Sequence, residues 1–352
     1  MSDGHGWHMA MKPECPMSDY VNRRVILSNR PKGVPEASHF LVDEVPVAPL
    51  GDGEILIKAL FWSADPAQRG WANDAPNYLP PVAIGEAMRG FAVGQIVESL
   101  HPDYAVGEVV SGMFGWQRFA ISDGSNVDGR FEHADLSPSL ALGILGLNGV
   151  TAYFGLLDVC DPQPGETVVV STAAGAVGSA VGQIAKIKGA RTVGITSSPE
   201  KMAQCRDEFG YDAVINYREE DVSAAVRAAC PDGVDCYFDN TCGSISDAVF
   251  ENLALGARIT ICGTASLTDW SPIPLGPRVH RQMLVARARM QGFLAFDYKD
   301  RFGDAQADLA GWIRDGQLAY REHILEGAEA AKSAISMLYA GENRGKLLIR
   351  VD

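Results

Sequence analysis

Apolar and polar positions follow two different patterns along the chain, and the change between them falls near residue 150. From Arg24 to about Val150 the apolar residues come in short runs broken by Gly and Pro, as in Glu54–Leu60 (EILIKAL) and Val93–Leu100 (VGQIVESL). Such runs, bounded by turn formers, predict strands, and their succession predicts a β-rich, barrel-like domain. Gly107–Met113 continues the pattern, with a turn at Gly112. The apolar stretch Leu147–Leu157 predicts a helix bridging into a new region, where strand and helix patterns alternate. Val168–Ser171 reads as a buried strand. After it, Val177, Val181, Ile184 and Ile187 recur at helical spacing, Lys186 and Lys188 fall where they complement the helix dipole, and Gly189 supplies the stop. Thr192–Thr196, Ala213–Asn216, Val234–Phe238 and Arg258–Cys262 read as further strands, and Pro199 to about Phe209 and Val222–Ala229 as helices. Strands separated by helices of about ten residues pair in parallel, which predicts a doubly wound sheet with right-handed crossovers. The last run, Lys346–Val351, reads as a strand able to rejoin the first domain.

Length and composition refine this division. A chain of 352 residues fits two domains at roughly 150 residues each. The expected division is an irregular extension over 1–16, a β-rich domain from 17–147 with 318–352, and an α/β domain over 148–317. Lys plus Arg number 30 against 44 Asp plus Glu, a net charge of −14, which repels nucleic acid at long range and requires any phosphate site to be local. The seven cysteines contain no C-x-x-C pair, which fits a reducing intracellular compartment. Cys236 and Cys262 fall in apolar, strand-like runs and read as small buried thiols rather than zinc ligands. No run of about 18 apolar residues and no basic-then-apolar leader is present, so neither a membrane span nor a signal peptide is expected, and a cytoplasmic location is.

The first α/β crossover carries candidate chemistry. Val168–Ser171 runs into Thr172–Gly178 (TAAGAVG), an A-x-G-x-x-G turn with Gly175 and Gly178 at its second and third positions and Ala176 and Val177 between them. Glycine at 175 lets backbone amides approach a pyrophosphate, glycine at 178 lets helix and strand pack, and the helix N-terminus faces the phosphate charge. A site for NAD usually ends its second strand with Asp or Glu, which grips the ribose hydroxyls. Here that strand runs Gly194-Ile-Thr-Ser-Ser198, and Ser197, Ser198 and Lys201 offer donors and a positive charge to a 2′-phosphate. NADP(H) is the expected cofactor. The plainer reading of Lys201 is a solvated helix residue.

With these features in place the chain resembles the zinc-independent medium-chain dehydrogenase/reductases, specifically the prostaglandin reductase and alkenal double-bond reductase family, over nearly everything from Arg23 to Val351. The matching stretches are Leu79–Gly90 (LPPVAIGEAMRG), Gly149–Gly155 (GVTAYFG), Gly175–Ser179 (GAVGS), Tyr237–Asn240 (YFDN), Gln291–Tyr298 (QGFLAFDY) and Gly341–Lys346 (GENRGK). The resemblance implies a Rossmann-type doubly wound parallel sheet domain plus a β-rich, GroES-like barrel domain, and metal-independent reduction of an enone or enal double bond by NADPH. It also implies that Gly175 to Gly178 hold the pyrophosphate and that Lys201 and Tyr217 touch the 2′-phosphate. Asn240, Cys262, Gly263, Thr264, Phe293, Leu294, Ala295 and Asn343 would line the nicotinamide half. Tyr298 matches a family tyrosine placed beside nicotinamide and substrate, where a hydroxyl donor would stabilise the developing enolate. Metal ligation is not expected, because the first domain has no cysteine between its N-terminal extension and Cys160.

One stretch departs from the family. Relatives usually carry Asp-Pro-Tyr-Met-Arg where this chain has Asp65-Pro-Ala-Gln-Arg69, so a named substrate does not transfer. Arg69 and Tyr78 stand beside the expected substrate pocket, and Trp62, Trp116 and Phe119 are either its apolar wall or ordinary core. Two alternatives to an enone or enal reductase are an NADPH:quinone reductase and a non-catalytic NADPH-binding sensor or structural protein. The open edge of a parallel sheet further predicts a homodimer.

Overall fold

The structure is a computed structural model that describes residues 20–74, 79–266 and 274–352. Tyr78 and the N-terminal extension lie outside the described residues.

Six strands form an all-parallel sheet in the spatial order Ala213–Asn216, Arg191–Thr196, Thr167–Ser171, Val234–Asp239, Leu253–Ile261, Arg289–Gly292. Winding reverses between Thr167–Ser171 and Val234–Asp239, and a crevice outside the carboxyl ends of strands at such a point is where open α/β sheets bind ligands. The sheet reads in sequence as apolar runs because helices cover both faces, and Val168, Val169, Val170, Cys236, Tyr237 and Phe238 are fully buried. Helix Ala176–Ile187 returns the chain to Arg191–Thr196, with Gly189 at φ 82° making the turn.

A second, seven-stranded sheet is mixed. Ile55–Ser63 pairs with Ala92–Ser99 and Phe119–Ser122, and Ala92–Ser99 leads on through Val109–Gly112 to Val127–Arg130. Lys346–Arg350 does rejoin this region, antiparallel to Ile55–Ser63 and parallel to Glu322–Glu326. Val21–Leu27 and Phe40–Pro46 form a separate antiparallel ladder over the same core. Trp62 and Trp116 are fully buried here, and each indole N–H reaches a carbonyl, Gln117 O and Ser63 O, both at 2.9 Å. They are core residues, as is Phe119, which packs with Val47 and Leu56.

The bridging helix Leu147–Phe154 continues into a π turn, Gly155–Cys160, ended by Asp161 at φ 47°. A π turn displaces the regular carbonyl partners, and Thr260 Oγ1 donates to Gly155 O at 2.7 Å in compensation. The strand Leu253–Ile261 is tied to the same turn by Arg258, which donates to Cys160 O at 2.8 Å and pairs with Glu166 at 2.5 Å, with both side chains largely buried. Arg258→Ala is expected to destabilise the fold by about 2 kcal/mol, since it strands a partly buried carboxylate. The Arg258 hydrogen bonds hold the Glu166 carboxyl below its usual range, so their stabilisation exists above the unfolded carboxylate pKa and is lost as pH falls through the folded one. Urea unfolding at neutral and acid pH should therefore show the wild-type advantage over Arg258→Ala shrinking at low pH.

Candidate cofactor and substrate site

The glycine-rich turn is built by close contact. Thr172 leaves the first strand at φ 55°, a left-handed conformation unusual for a β-branched residue, and Gly175 N–H donates back to its carbonyl at 2.8 Å. Gly175 then caps helix Ala176–Ile187. A Cβ on Gly178 would stand 2.3 Å from Thr172 O and 2.9 Å from Ala173 Cα, so only glycine lets the helix cross the strand at this distance. One turn on, a Cβ on Gly182 would stand 2.2 Å from the Tyr211 ring, and the buried Tyr211 hydroxyl donates to Gly178 O at 2.6 Å. Tyr211 thus fixes the crossing from outside, a role that no motif in the sequence signals.

Across the switch point, Asn240 closes on the first strand. Its backbone N–H donates to Ser171 Oγ at 2.8 Å and its side-chain amide to Ser171 O at 2.7 Å. The preceding Asp239 is buried and accepts from Thr241 N at 2.9 Å, Cys242 N at 2.8 Å and Ser246 Oγ at 2.5 Å. Its carbonyl takes Cys262 N at 2.8 Å and Gly263 N at 3.1 Å, which places the Cys262–Thr264 stretch beside Asn240. Burial pushes the Cys262 thiol up to about 12, so it stays a neutral thiol. Phe293 lies against Gly155, where a Cβ would come within 2.5 Å of the ring. Ala295 is buried, whereas Leu294 is half exposed.

At the end of the second strand Ser198 caps helix Pro199–Asp207 through Lys201 N, and Lys201 Nζ donates to Gly341 O at 2.7 Å. Lys201 and Ser198 share an open groove of about 530 Å³ with Asn343 and Arg344, whose walls also carry Glu200, Asp207, Glu342 and the ion pair of Arg321 with Glu208 at 2.8 Å. Burial, and then repulsion from Arg218, hold the Lys201 ammonium below the ordinary lysine range. Ser197 Oγ lies near the same glycine, and Tyr217, partly exposed, continues the rim beside Arg218. Two features fit NADP(H): the glycine crossing keeps the N-terminus of helix Ala176–Ile187 close to the end of the first strand, and beyond the second strand Lys201 and Arg344 stand where an NAD site has a carboxylate.

The remaining site residues divide. A narrow cleft with about 30 Å³ of free space is lined by Asp65, Asp128, Leu142, Asn148, Phe296 and Phe302, among others. Tyr298 is not among its walls. Its ring stacks on Phe154, with centroids 4.5 Å apart and planes 10° apart, beneath the Arg301 guanidinium, and burial followed by Asp158 raises its pKa. Phe296, two residues earlier in the 3₁₀ segment Ala295–Arg301, presents its ring to the cleft instead. Arg69 also faces elsewhere: it is buried on the helix Ala67–Ala72, donates to Gly33 O at 3.3 Å and lies over Tyr339. Among the described residues no cluster of three or more His, Cys, Asp or Glu is arranged to hold a metal.

Residues 23–129 match the family model described as the N-terminal domain of oxidoreductase, and residues 176–309 the one described as zinc-binding dehydrogenase. The chain is 44% identical over 334 residues to the putative NADP-dependent oxidoreductase YfmJ of Bacillus subtilis, covering 94% of this chain and 98% of that one. It is 40% identical to the NADPH-dependent curcumin reductase of Escherichia coli, covering 94% and 97%, and 36% identical to a NADP(+)-dependent 2-alkenal reductase of Nicotiana tabacum, covering 94% and 98%. The crystal structure of CurA in complex with NADPH from Vibrio vulnificus superposes with a TM-score of 0.88 at 40% identity, covering 94% and 99%. A GroES-like domain joined to a Rossmann domain with an NADP-type groove defines a medium-chain dehydrogenase/reductase. Within that class, the chain belongs to the zinc-independent double-bond reductase family of the prostaglandin, curcumin and 2-alkenal reductases.

Proposed function

We propose that this protein is an NADPH-dependent reductase of the carbon–carbon double bond in α,β-unsaturated ketones and aldehydes. The observation that carries the reading is the pairing of the Gly175–Gly178 crossing with Lys201 beyond the second strand, in a chain that is 36–44% identical to relatives named as an NADP-dependent oxidoreductase, an NADPH-dependent curcumin reductase and a NADP(+)-dependent 2-alkenal reductase. Gly175 to Gly178 would receive the pyrophosphate, and Ser197, Lys201 and Tyr217 the 2′-phosphate. Asn240, Cys262 to Thr264, Phe293 to Ala295 and Asn343 would receive the nicotinamide half. Bound NADPH supplies a hydride, which the β-carbon of an enone accepts. The chain's own part is to hold the substrate in a cleft of apolar and carboxylate walls, to exclude water from it, and to provide a proton. Mixing the protein with NADPH or NADH and a panel of enones, enals and quinones, with products identified by mass, tests the reading. A saturated ketone or aldehyde formed with NADPH preference is the expected product; an alcohol, or turnover of quinones alone, would refute it.

The domain division drawn from the sequence, 17–147 with 318–352 against 148–317, fits the membership of the two sheets. A homodimer in the cytoplasm completes the proposal. The edge strand Arg289–Gly292 is exposed along its whole length, and Leu284 and Val285 beside it are largely exposed, as a self-pairing sheet edge requires. Light scattering showing only a 37.7 kDa species would rule the dimer out.

A further inference from the structure

Reducing an enone consumes a proton as well as a hydride, and the cleft carries a titratable group of its own, Asp65, on its wall. Asp65, which lines the cleft, is held by Lys346, whose Nζ donates to Asp65 Oδ1 at 2.5 Å and to Ala64 O at 3.3 Å. Lys346 is only 5% exposed, and a charge buried to that degree is costly unless it is paired. The second Asp65 oxygen accepts from Ser63 Oγ, and the Asp65 backbone N–H is fixed by Gln68 Oε1 at 2.9 Å. Glu322 stands directly beside Lys346 as its register partner on the adjoining parallel strand. Its Oε2 accepts from Ser139 Oγ at 2.9 Å, while its Oε1 is buried without a hydrogen-bond partner, as suits a carboxyl that carries a proton. Burial favours that protonated form, against smaller opposing effects of Ser139 and Lys346.

We propose that Asp65, Lys346 and Glu322 form a proton relay that delivers the proton to the α-carbon of the reduced substrate. This rests on the double-bond reductase reading. Once the β-carbon has accepted hydride, the substrate is an enolate. A proton passes from Lys346 Nζ to Asp65 Oδ1 and from Asp65 to the α-carbon. The enolate electron pair forms the new C–H bond and the carbonyl is restored. Lys346, left as a neutral amine, takes the carboxyl proton of Glu322 through a bridging water, and Glu322 regains one from solvent. The other charged groups facing this path are Asp128 across the cleft and Lys299, which lies 3.9 Å from Asp128. Asp65 is the group that meets substrate, and Lys346 and Glu322 act through it.

The wild-type enzyme gives the first test. Turnover in mixtures of H2O and D2O should give a curved proton inventory, because more than one proton moves; a linear inventory, or no solvent isotope effect, would overturn the relay. Lys346→Met should lower kcat by about 100-fold, the order expected for a lost general acid, with NADPH affinity measured by fluorescence quenching changed less than about threefold. Lys346→Arg, which keeps the charge and donors, should regain about tenfold of that loss. Wild-type kcat should fall as pH rises through the Glu322 range, and Glu322→Gln should be slower and lack that limb. A Lys346→Met enzyme within about threefold of wild-type kcat, with an unaltered isotope effect, would make the pair structural only. If Lys346→Met does not fold, the wild-type inventory decides. Absence of NADPH oxidation by the wild type on every enone would instead overturn the functional reading together with the relay.

Discussion

Gly178→Ala is expected to abolish measurable NADPH binding, weakening it at least ~100-fold, and to destabilise the fold by about 3 kcal/mol, the upper end for overpacking a tight contact. The added Cβ would meet backbone at 2.3 Å, the Thr172 carbonyl, and at 2.9 Å, Ala173 Cα. Neither atom belongs to a flexible side chain that can swing aside, so the helix must move off the strand. Moving it shifts the Ala176–Ile187 N-terminus, whose free N–H groups would be the phosphate ligands, and breaks the 2.6 Å bond from Tyr211 to Gly178 O that braces the crossing. Gly311→Ala is the matched control. Gly311 sits inside helix Phe302–Arg314 with nothing within 4 Å of an added Cβ, so it should stabilise by about 0.5–1 kcal/mol and leave cofactor binding unchanged. Thermal unfolding and fluorescence titration of both variants read the contrast. If Gly178→Ala bound NADPH like the wild type, the crossing would not be the pyrophosphate site.

The same contrast explains what the sequence made legible. The first βαβ unit was readable because strand, turn and helix signals coincide there: Val168–Ser171, the glycine spacing and the Val177, Val181, Ile184 periodicity all describe one local object. Val222–Ala229 was legible for the same reason, with Asp221 as its cap. Helices Gly243–Phe250, His280–Ala286 and Phe302–Arg314 and the edge strand Arg289–Gly292 were not foreseen as elements. The edge strand is short and exposed throughout, so its pairing depends on Leu253–Ile261 rather than on its own pattern. The proposed cofactor end of the site depends on local backbone chemistry and therefore has a sequence signature. The cleft proposed for substrate has none, because its walls come from Asp65, Asp128, Asn148 and Phe296, which are distant in sequence and belong to no shared spacing. Tyr298 was chosen by resemblance and chemistry, and in the structure its ring stacks on Phe154 and lies 6.3 Å from that of Phe293. Lys346 stood in a recognised stretch, but only the register of Lys346–Arg350 with Glu322–Glu326 shows which carboxylates it meets.

Lys201→Ala should lower NADPH affinity by about 10- to 100-fold, the equivalent of a charge-assisted hydrogen bond, and change NADH affinity less than about twofold. The loss would be incomplete because Arg344 lines the same groove and Arg218 stands close enough to perturb Lys201. Burial and Arg218 lower the Lys201 pKa, and a bound phosphate dianion would offset both effects. NADPH affinity in the wild type should therefore begin to fall, as pH rises, below the ordinary lysine range, while Lys201→Ala shows no such fall. The bond from Lys201 Nζ to Gly341 O complicates the reading, since it also ties the helix Pro199–Asp207 to the turn after Ala334–Ala340, and alanine removes both the tether and the charge. Lys201→Gln separates the two, because an amide still reaches a carbonyl but carries no charge. If Gln binds NADPH as weakly as Ala, charge against the 2′-phosphate sets the preference. If Gln restores wild-type affinity, the selectivity of this groove comes from the position of the 341–345 loop, and the cationic reading of Lys201 fails.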